Sequence, residues 1–373
     1  MLKRGNSVWN GILFIVFVSF LFPWSVFATR IESFEIDDEM KLPFIKPKHI
    51  DLVEKLSRKT NPEGVRLASS QTLTRKNNRT VSNNLVSGTT YWLKDQGIKY
   101  KSVKDDASYP QKMATLDIYY NKSKHVNKTT IVFVHGGGWV RGDKENILKN
   151  ERLVNYFINK GYVLACINFR LLMNEESPGA TYKDQASDIA AAIKWLHENI
   201  EKYDGNPNEM VLFGYSSGAH LASLVALDER YLEGENLSPK ILKGVIAMDV
   251  HAYDIPLALS KMRGSSLENK MPLLEKLFGS EQTTQKKASP VNYVEGASDK
   301  TAFLLISAGQ KDGKNQTVSR DVSEEFKIRL REDGHHAVHV HFASRGHVSL
   351  VMQFGGQKDG VAKVMSRFLE KIE

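Results

Sequence analysis

Apolar residues along this chain recur with two different periods, and the two alternate. Short runs rich in β-branched and aromatic residues predict buried strands at Thr130-Ile131-Val132-Phe133-Val134, 163–167, Met210-Val211-Leu212-Phe213, 244–248 and 301–307. Two further strands are predicted near 98–103 and 113–120. Between them the apolar positions move to helical spacing, at 145–159, at 183–203 where Ile189, Ile193, Leu196 and Ile200 share a face, and at 361–372. Strand and helix alternating in this way predict an α/β fold, a mostly parallel sheet with helices on both faces. In such a sheet, reactive residues belong at the carboxyl ends of the strands. Two apolar stretches, 255–262 and 271–278, interrupt the alternation as either crossover helices or walls of a pocket. No internal repeat is evident.

The first ninety-five residues break this pattern. Lys3 and Arg4 precede an uncharged run from Gly5 to Thr29 with an apolar centre, Gly11 to Phe22, followed by Pro23 and Val26-Phe27-Ala28. A basic start, a short apolar core and small residues at its end predict a secretory signal peptide over 1–28, cleaved after Ala28. The alternative is an uncleaved anchor, which Pro23 disfavours. Residues 29–95 are polar and read as an extension or partial cap, with one short helix predicted at 49–56; the regular domain then spans 96–373. The expected compartment is secreted or periplasmic, with no membrane span left after cleavage.

Charge and cysteine content narrow the classes. Without residues 1–28 the chain carries 49 basic against 43 acidic residues, a formal charge of +6. These charges are scattered rather than gathered into a stripe, which argues against nucleic-acid binding. The single cysteine, Cys166, sits in a core strand, so no intrachain disulfide forms and a thiol nucleophile is disfavoured. Asn78, Asn121, Asn127, Asn236 and Asn315 begin N-x-S/T triplets, read as chance in an Asn- and Lys-rich chain. The sequence is silent on oligomeric state.

Candidate chemistry begins at Gly214-Tyr215-Ser216-Ser217-Gly218, a G-x-S-x-G between a strand and the apolar helix opening at Ala219. Strand, sharp turn and helix make this a nucleophile elbow, with Ser216 as the nucleophile. Upstream, the strand at 130–134 ends in His135-Gly136-Gly137-Gly138-Trp139, whose glycines free backbone N–H groups for an oxyanion. The expected donors are Gly136, Gly137 and Ser217, with Gly138 in reserve.

A base and an acid should follow the nucleophile in chain order, the acid first. His220 lies on the elbow helix and reads as packing. His339 and His341 share one face of a strand, read as an exposed edge without carboxylate or thiol partners at ligand spacing, so no metal is expected there. His347 lies in the loop beyond that strand and is the expected base. Asp312, the first carboxylate after the strand at 301–307, is the expected acid, with Asp249, Asp254 and Asp321 as competitors.

With those residues in place the chain resembles an α/β-hydrolase of the esterase/lipase group. That group contains the hormone-sensitive-lipase-like carboxylesterases and the feruloyl-esterase-like BD-FAE proteins. The stretches that carry the likeness are His135 to Trp139 with Arg141-Gly142-Asp143-Lys144, Asn168-Phe169-Arg170-Leu171, 188–196, 214–221, Ser289-Pro290, Asp312 and Gly346-His347, spread over 96–373. The resemblance implies Ser216, His347 and Asp312 as a triad, Gly136, Gly137 and Ser217 as oxyanion donors, and no metal or organic cofactor. It departs at Ser217, where the family usually has Ala, and after Asp312, where Gly313-Lys314-Asn315 replaces the usual Asp-x-x-Val. The expected activity is hydrolysis of small-molecule carboxylic esters through an acyl-enzyme. Two alternatives stand beside it: an arylformamidase-type amide or formamide hydrolase, and a silent binding protein that keeps the scaffold.

Overall fold

In the computed structural model the regular elements follow the predicted alternation, and the strands form one sheet. The structure describes residues 73–76, 79–83, 91–103, 109–122, 128–172, 179–311, 314–315, 317–355 and 359–373. All of them fall in one compact unit, Leu67–Glu373. The regions 1–28 and 49–56, and Asp312, lie outside the described residues.

The strands are β1 (Leu73–Lys76), β2 (Arg79–Asn83), β3 (Tyr91–Lys99), β4 (Thr115–Tyr120), β5 (Lys128–Val134), β6 (Val163–Ile167), β7 (Gly205–Tyr215), β8 (Leu242–Met248), β9 (Ala302–Lys311), β10 (Lys314–Asn315) and β11 (Ala337–Gly346). They are ordered β1-β2-β3-β4-β6-β5-β7-β8-β9, with β10 and β11 both pairing β9. From β6 through β11 the pairings β6/β5, β5/β7, β7/β8, β8/β9 and β9/β11 are parallel. β1 to β4 extend the other side as an antiparallel meander. β1, β2 and β3 thus join the sheet, and β3 crosses the boundary expected at 95/96.

The helices that concern the site are α1 (Glu151–Asn159), α2 (Tyr182–Asn199), α3 (Ser217–Leu227), α4 (Ile255–Met262), α5 (Met271–Phe278), α6 (Gln282–Ala288), α7 (Val318–Glu332), α8 (His347–Met352) and α9 (Gly360–Ile372). The predicted helix over 145–159 divides into a 3-10 segment, Lys144–Asn150, and α1, with the Asn150 side chain capping the N–H of Arg152 at 3.1 Å.

Parallel central strands are covered on both faces, which explains why their sequences are continuous apolar runs rather than alternating ones. β5 is buried along its whole length. Its Ile131 and Phe133 join Val211 and Phe213 in one core layer, while Val132 and Val134 join Met210 and Leu212 in the other. Each layer therefore takes every second residue of the strands, the period of two that a pleated backbone imposes.

Register sets what meets at the sheet's carboxyl rim. Val134 lies opposite Gly214, so the glycine loop after β5 abuts the turn after β7. Tyr215 lies opposite Met248, and Met248 opposite Ile306. The ladder continues one step past the strand ends: Ser216 N–H donates to Met248 O at 2.8 Å and Asp249 N–H to Ile306 O at 2.7 Å. Residues far apart in sequence arrive side by side because the hydrogen-bond ladders have closed.

Candidate active site

Ser216 has φ 55° and ψ −127°, a conformation that costs a non-glycine residue free energy and places it at the sharp turn between β7 and α3. The flanking glycines serve close approach rather than left-handed backbone. A Cβ on Gly214 would lie 2.3 Å from Gly218 O, and one on Gly218 would lie 2.1 Å from Val134 O. Their absence lets strand, turn and helix pack into five residues.

His347 opens α8, and its ring spans two partners. Nδ1 is 2.6 Å from Asp249 Oδ2 and Nε2 is 3.0 Å from Ser216 Oγ. With Nδ1–H donating to the carboxylate, Nε2 is left as acceptor for the Ser216 hydroxyl. The imidazole is 40% exposed and the Asp249 side chain 3%, so one is open to an incoming molecule and the other sealed.

Asp249 holds the position at His347 that the sequence reading gave to Asp312. It follows β8 directly, at φ 55°, a left-handed conformation that Asp tolerates better than most residues. Its other oxygen, Oδ1, accepts from Ala308 N–H at 2.8 Å and from the Ser319 hydroxyl at 2.5 Å. Burial alone would raise this carboxyl. The hydrogen bond and charge of His347, the nearby His251 and the Ala308 amide outweigh it and hold the group at about 2. The sequence reading took β9 to end at Ser307, whereas β9 runs four residues further, to Lys311, and pairs antiparallel with β10. Asp249 carried the better signal, a carboxylate immediately after an apolar strand. Asp254, the other competitor after β8, caps α4 through Leu257 N–H.

Gly136 lies against the elbow so tightly that a Cβ there would be 2.9 Å from both Ser216 Cβ and Tyr215 O. Gly137, at φ 137°, leaves no room either, since a Cβ would fall 1.9 Å from Arg141 O. Ser217 is the first residue of α3, where backbone N–H groups have no partner within the helix and the helix dipole favours negative charge. Gly136 and Ser217 are therefore brought together beside Ser216, with Gly137 next in the loop.

The glycine loop is braced from behind by the other stretches singled out in the sequence. Asn168 accepts from Lys144 N–H at 2.6 Å and donates to Asp143 at 3.1 Å. Arg170 grips Asp188 through two 2.8 Å bonds, and Gln185 donates to both Trp139 O and Arg170 O. Trp139 Nε1–H donates to His220 Nδ1 at 3.1 Å, and His220 Nε2–H donates to Ala288 O at 2.7 Å, so His220 ties the loop to the end of α6. Phe278, at the end of α5, stacks edge-on against Trp139 at 5.0 Å, which makes 271–278 a wall behind the loop.

The sequence reading took the face bearing His339 and His341 as an exposed edge, but in the structure both residues are half-buried. α7 lies over it: the His339 side chain is 4% exposed and bonds Glu324 through Nδ1 and Ser307 through Nε2, and His341 Nδ1 bonds Ser307 at 2.9 Å. Amphipathic α7 supplied the cover, which period-two alternation in β11 alone did not reveal. Among the described residues no group of three or more His, Cys, Asp or Glu side chains gathers as a metal site, and no helix is long and apolar enough to cross a membrane.

Comparison with known proteins places this geometry in a wider group. The BD-FAE family model matches residues 116–330. Isoprenylcysteine alpha-carbonyl methylesterase ICME of Arabidopsis thaliana is 25% identical over 243 residues, which cover 64% of this chain and 54% of the relative. Esterase LipQ of Mycobacterium tuberculosis is 27% identical over 252 residues, covering 65% and 55%. The chain thus spans about half the length of the curated relatives it matches. Among solved structures, inhibited esterase B of Lactobacillus rhamnosis superposes with a TM-score of 0.59 at 19% identity, over 87% of this chain and 94% of that one. That likeness establishes the α/β-hydrolase fold.

Proposed function

The chain belongs to the BD-FAE family, and from that premise we propose that it is a secreted serine hydrolase of carboxylic esters that works through an acyl-enzyme on Ser216. The observation that carries the proposal is the unbroken hydrogen-bond line from Ser216 Oγ through both nitrogens of His347 to Asp249. That line supplies a nucleophile, a base and an orienting anion in the roles acyl transfer needs.

The steps follow from the geometry. Ser216 Oγ attacks the ester carbonyl carbon while its proton passes to His347 Nε2, and the carbonyl electron pair becomes an oxyanion held by the N–H of Ser217 and of the Gly136–Gly137 loop. Asp249, ionised down to about pH 2, stabilises the imidazolium without taking its proton. His347 then protonates the departing alkoxide, the carbon–oxygen bond breaks, and the acyl group remains on Ser216. Water enters by the same route and adds to the acyl carbon while His347 takes its proton; the bond from that carbon to Ser216 Oγ then breaks, His347 returns the proton to Oγ, and the acid leaves. Secretion rests on residues 1–28, and N-terminal sequencing of the exported protein would read Thr29 first.

The test is turnover of p-nitrophenyl butyrate, with labelling by a fluorophosphonate probe. Ser216→Ala should abolish both while leaving the melting temperature within a few degrees. Retained turnover would remove the acyl-enzyme, and an N-formylkynurenine arm in the same assay separates ester from formamide hydrolysis.

A further inference from the structure

Tyr215 immediately precedes Ser216, and its side chain is committed to His347 at two points. Its ring stacks on the imidazole with centroids 4.9 Å apart and planes 22° from parallel. Its hydroxyl donates to the His347 carbonyl oxygen at 3.1 Å. The ring also lies near the glycine loop: a Cβ on Gly136 would meet Tyr215 Cδ1 at 3.1 Å. The phenol is therefore a plate against the imidazole with one edge close to the glycine loop.

We infer that Tyr215 is a positioning residue that also favours the charged form of His347 during acyl transfer, an inference that rests on the serine-hydrolase reading above. The imidazole is neutral while it accepts the Ser216 hydroxyl and becomes an imidazolium as the proton arrives. The face of an aromatic ring carries negative charge density, and a cation over it within about 6 Å is attracted. His347 meets that face in both protonation states but gains from it chiefly in the charged one, so the contact strengthens as the transition state is approached. Interactions of that kind raise kcat rather than lower KM. The hydroxyl bond does a second job. It fixes the backbone of the first residue of α8, and the ring plane of His347 must be held for Nδ1 to meet Asp249 and Nε2 to meet Ser216 together.

The experiment compares Tyr215→Phe and Tyr215→Leu on p-nitrophenyl butyrate, with thermal melting of both. The Phe variant keeps the plate and should hold kcat within about threefold of the parent. The Leu variant keeps apolar bulk but loses the π face, and should lose about tenfold or more in kcat at unchanged KM and nearly unchanged melting temperature. Equal losses in the two variants, or a Leu variant at parental kcat, would overturn the inference. Ser216→Ala in the same assay separates the two levels: if it stays active the serine reading itself fails, whereas a dead Ser216→Ala beside a fully active Leu variant removes Tyr215 alone.

Discussion

The His347 ring and the Asp249 carboxylate, 98 residues apart in sequence, meet at 2.6 Å between Nδ1 and Oδ2. The carboxylate also accepts, through its other oxygen Oδ1, from two protein donors, Ala308 N–H and the Ser319 hydroxyl. It is thus a rigid anion with one function left, to hold the imidazole tautomer.

That relationship reassigns the acid in a way kinetics can check. Asp249→Asn keeps the shape but replaces an acceptor by a donor, leaving Nδ1–H unmatched, and kcat should fall by about 10³–10⁴. Asp312→Asn should stay within a factor of about two. The opposite pair of results would return the role to Asp312.

Ser319 acts one bond further out. Removing its hydroxyl with Ser319→Ala leaves Asp249 Oδ1 with the Ala308 amide alone, so the carboxylate gains freedom to rotate. A loss of about three- to tenfold in kcat is expected, corresponding to roughly 1 kcal/mol for one hydrogen bond. No loss at all would mean that the amide suffices.

The glycine loop separates crowding from backbone strain. Gly136→Ala forces a Cβ to within 2.9 Å of Ser216 Cβ, so either the elbow or the loop must move. Turnover should drop by about 10² or more, as for loss of an oxyanion donor. Gly138→Ala meets no atom within 4 Å but must keep φ near 61°, and should cost about 1 kcal/mol of stability with little change in rate. Steady-state kinetics and melting of the two variants test the contrast.

Acid stability follows from two histidines that the proposed chemistry does not titrate. Burial holds His135 and His220 at about 4, below their usual value near 6.5. The unfolded chain therefore takes up protons from pH 6.5 down to 4 that the folded chain refuses, and stability falls as pH drops through that window, by roughly 3 kcal/mol per group. Urea midpoints at pH 7 and 4.5 should differ accordingly. His220→Gln keeps an acceptor for Trp139 and a donor for Ala288 but removes one titrating site, so its pH slope should be shallower; an unchanged slope would exclude His220 from the effect.

Much of this was legible along the chain. The α/β alternation, the strands from 130 to 307, the elbow at Ser216, the glycine loop and the choice of His347 among eleven histidines all follow from local pattern, because strand runs, turns and helix faces depend on near neighbours. His220 was likewise readable as packing, being four residues past the nucleophile on one helix.

Other features depended on which strand lies beside which, and only the folded chain decided them. That Asp249 reaches His347 turns on the register that sets Met248 against Ile306, which local composition does not encode. Ser319 gives no sequence signal at all, since its partner is 70 residues away. The cover over His339 and the plate that Tyr215 makes for His347 also arise from elements meeting late in the chain. Short-range pattern selects the parts, whereas long-range hydrogen-bond ladders and packing choose the pairs.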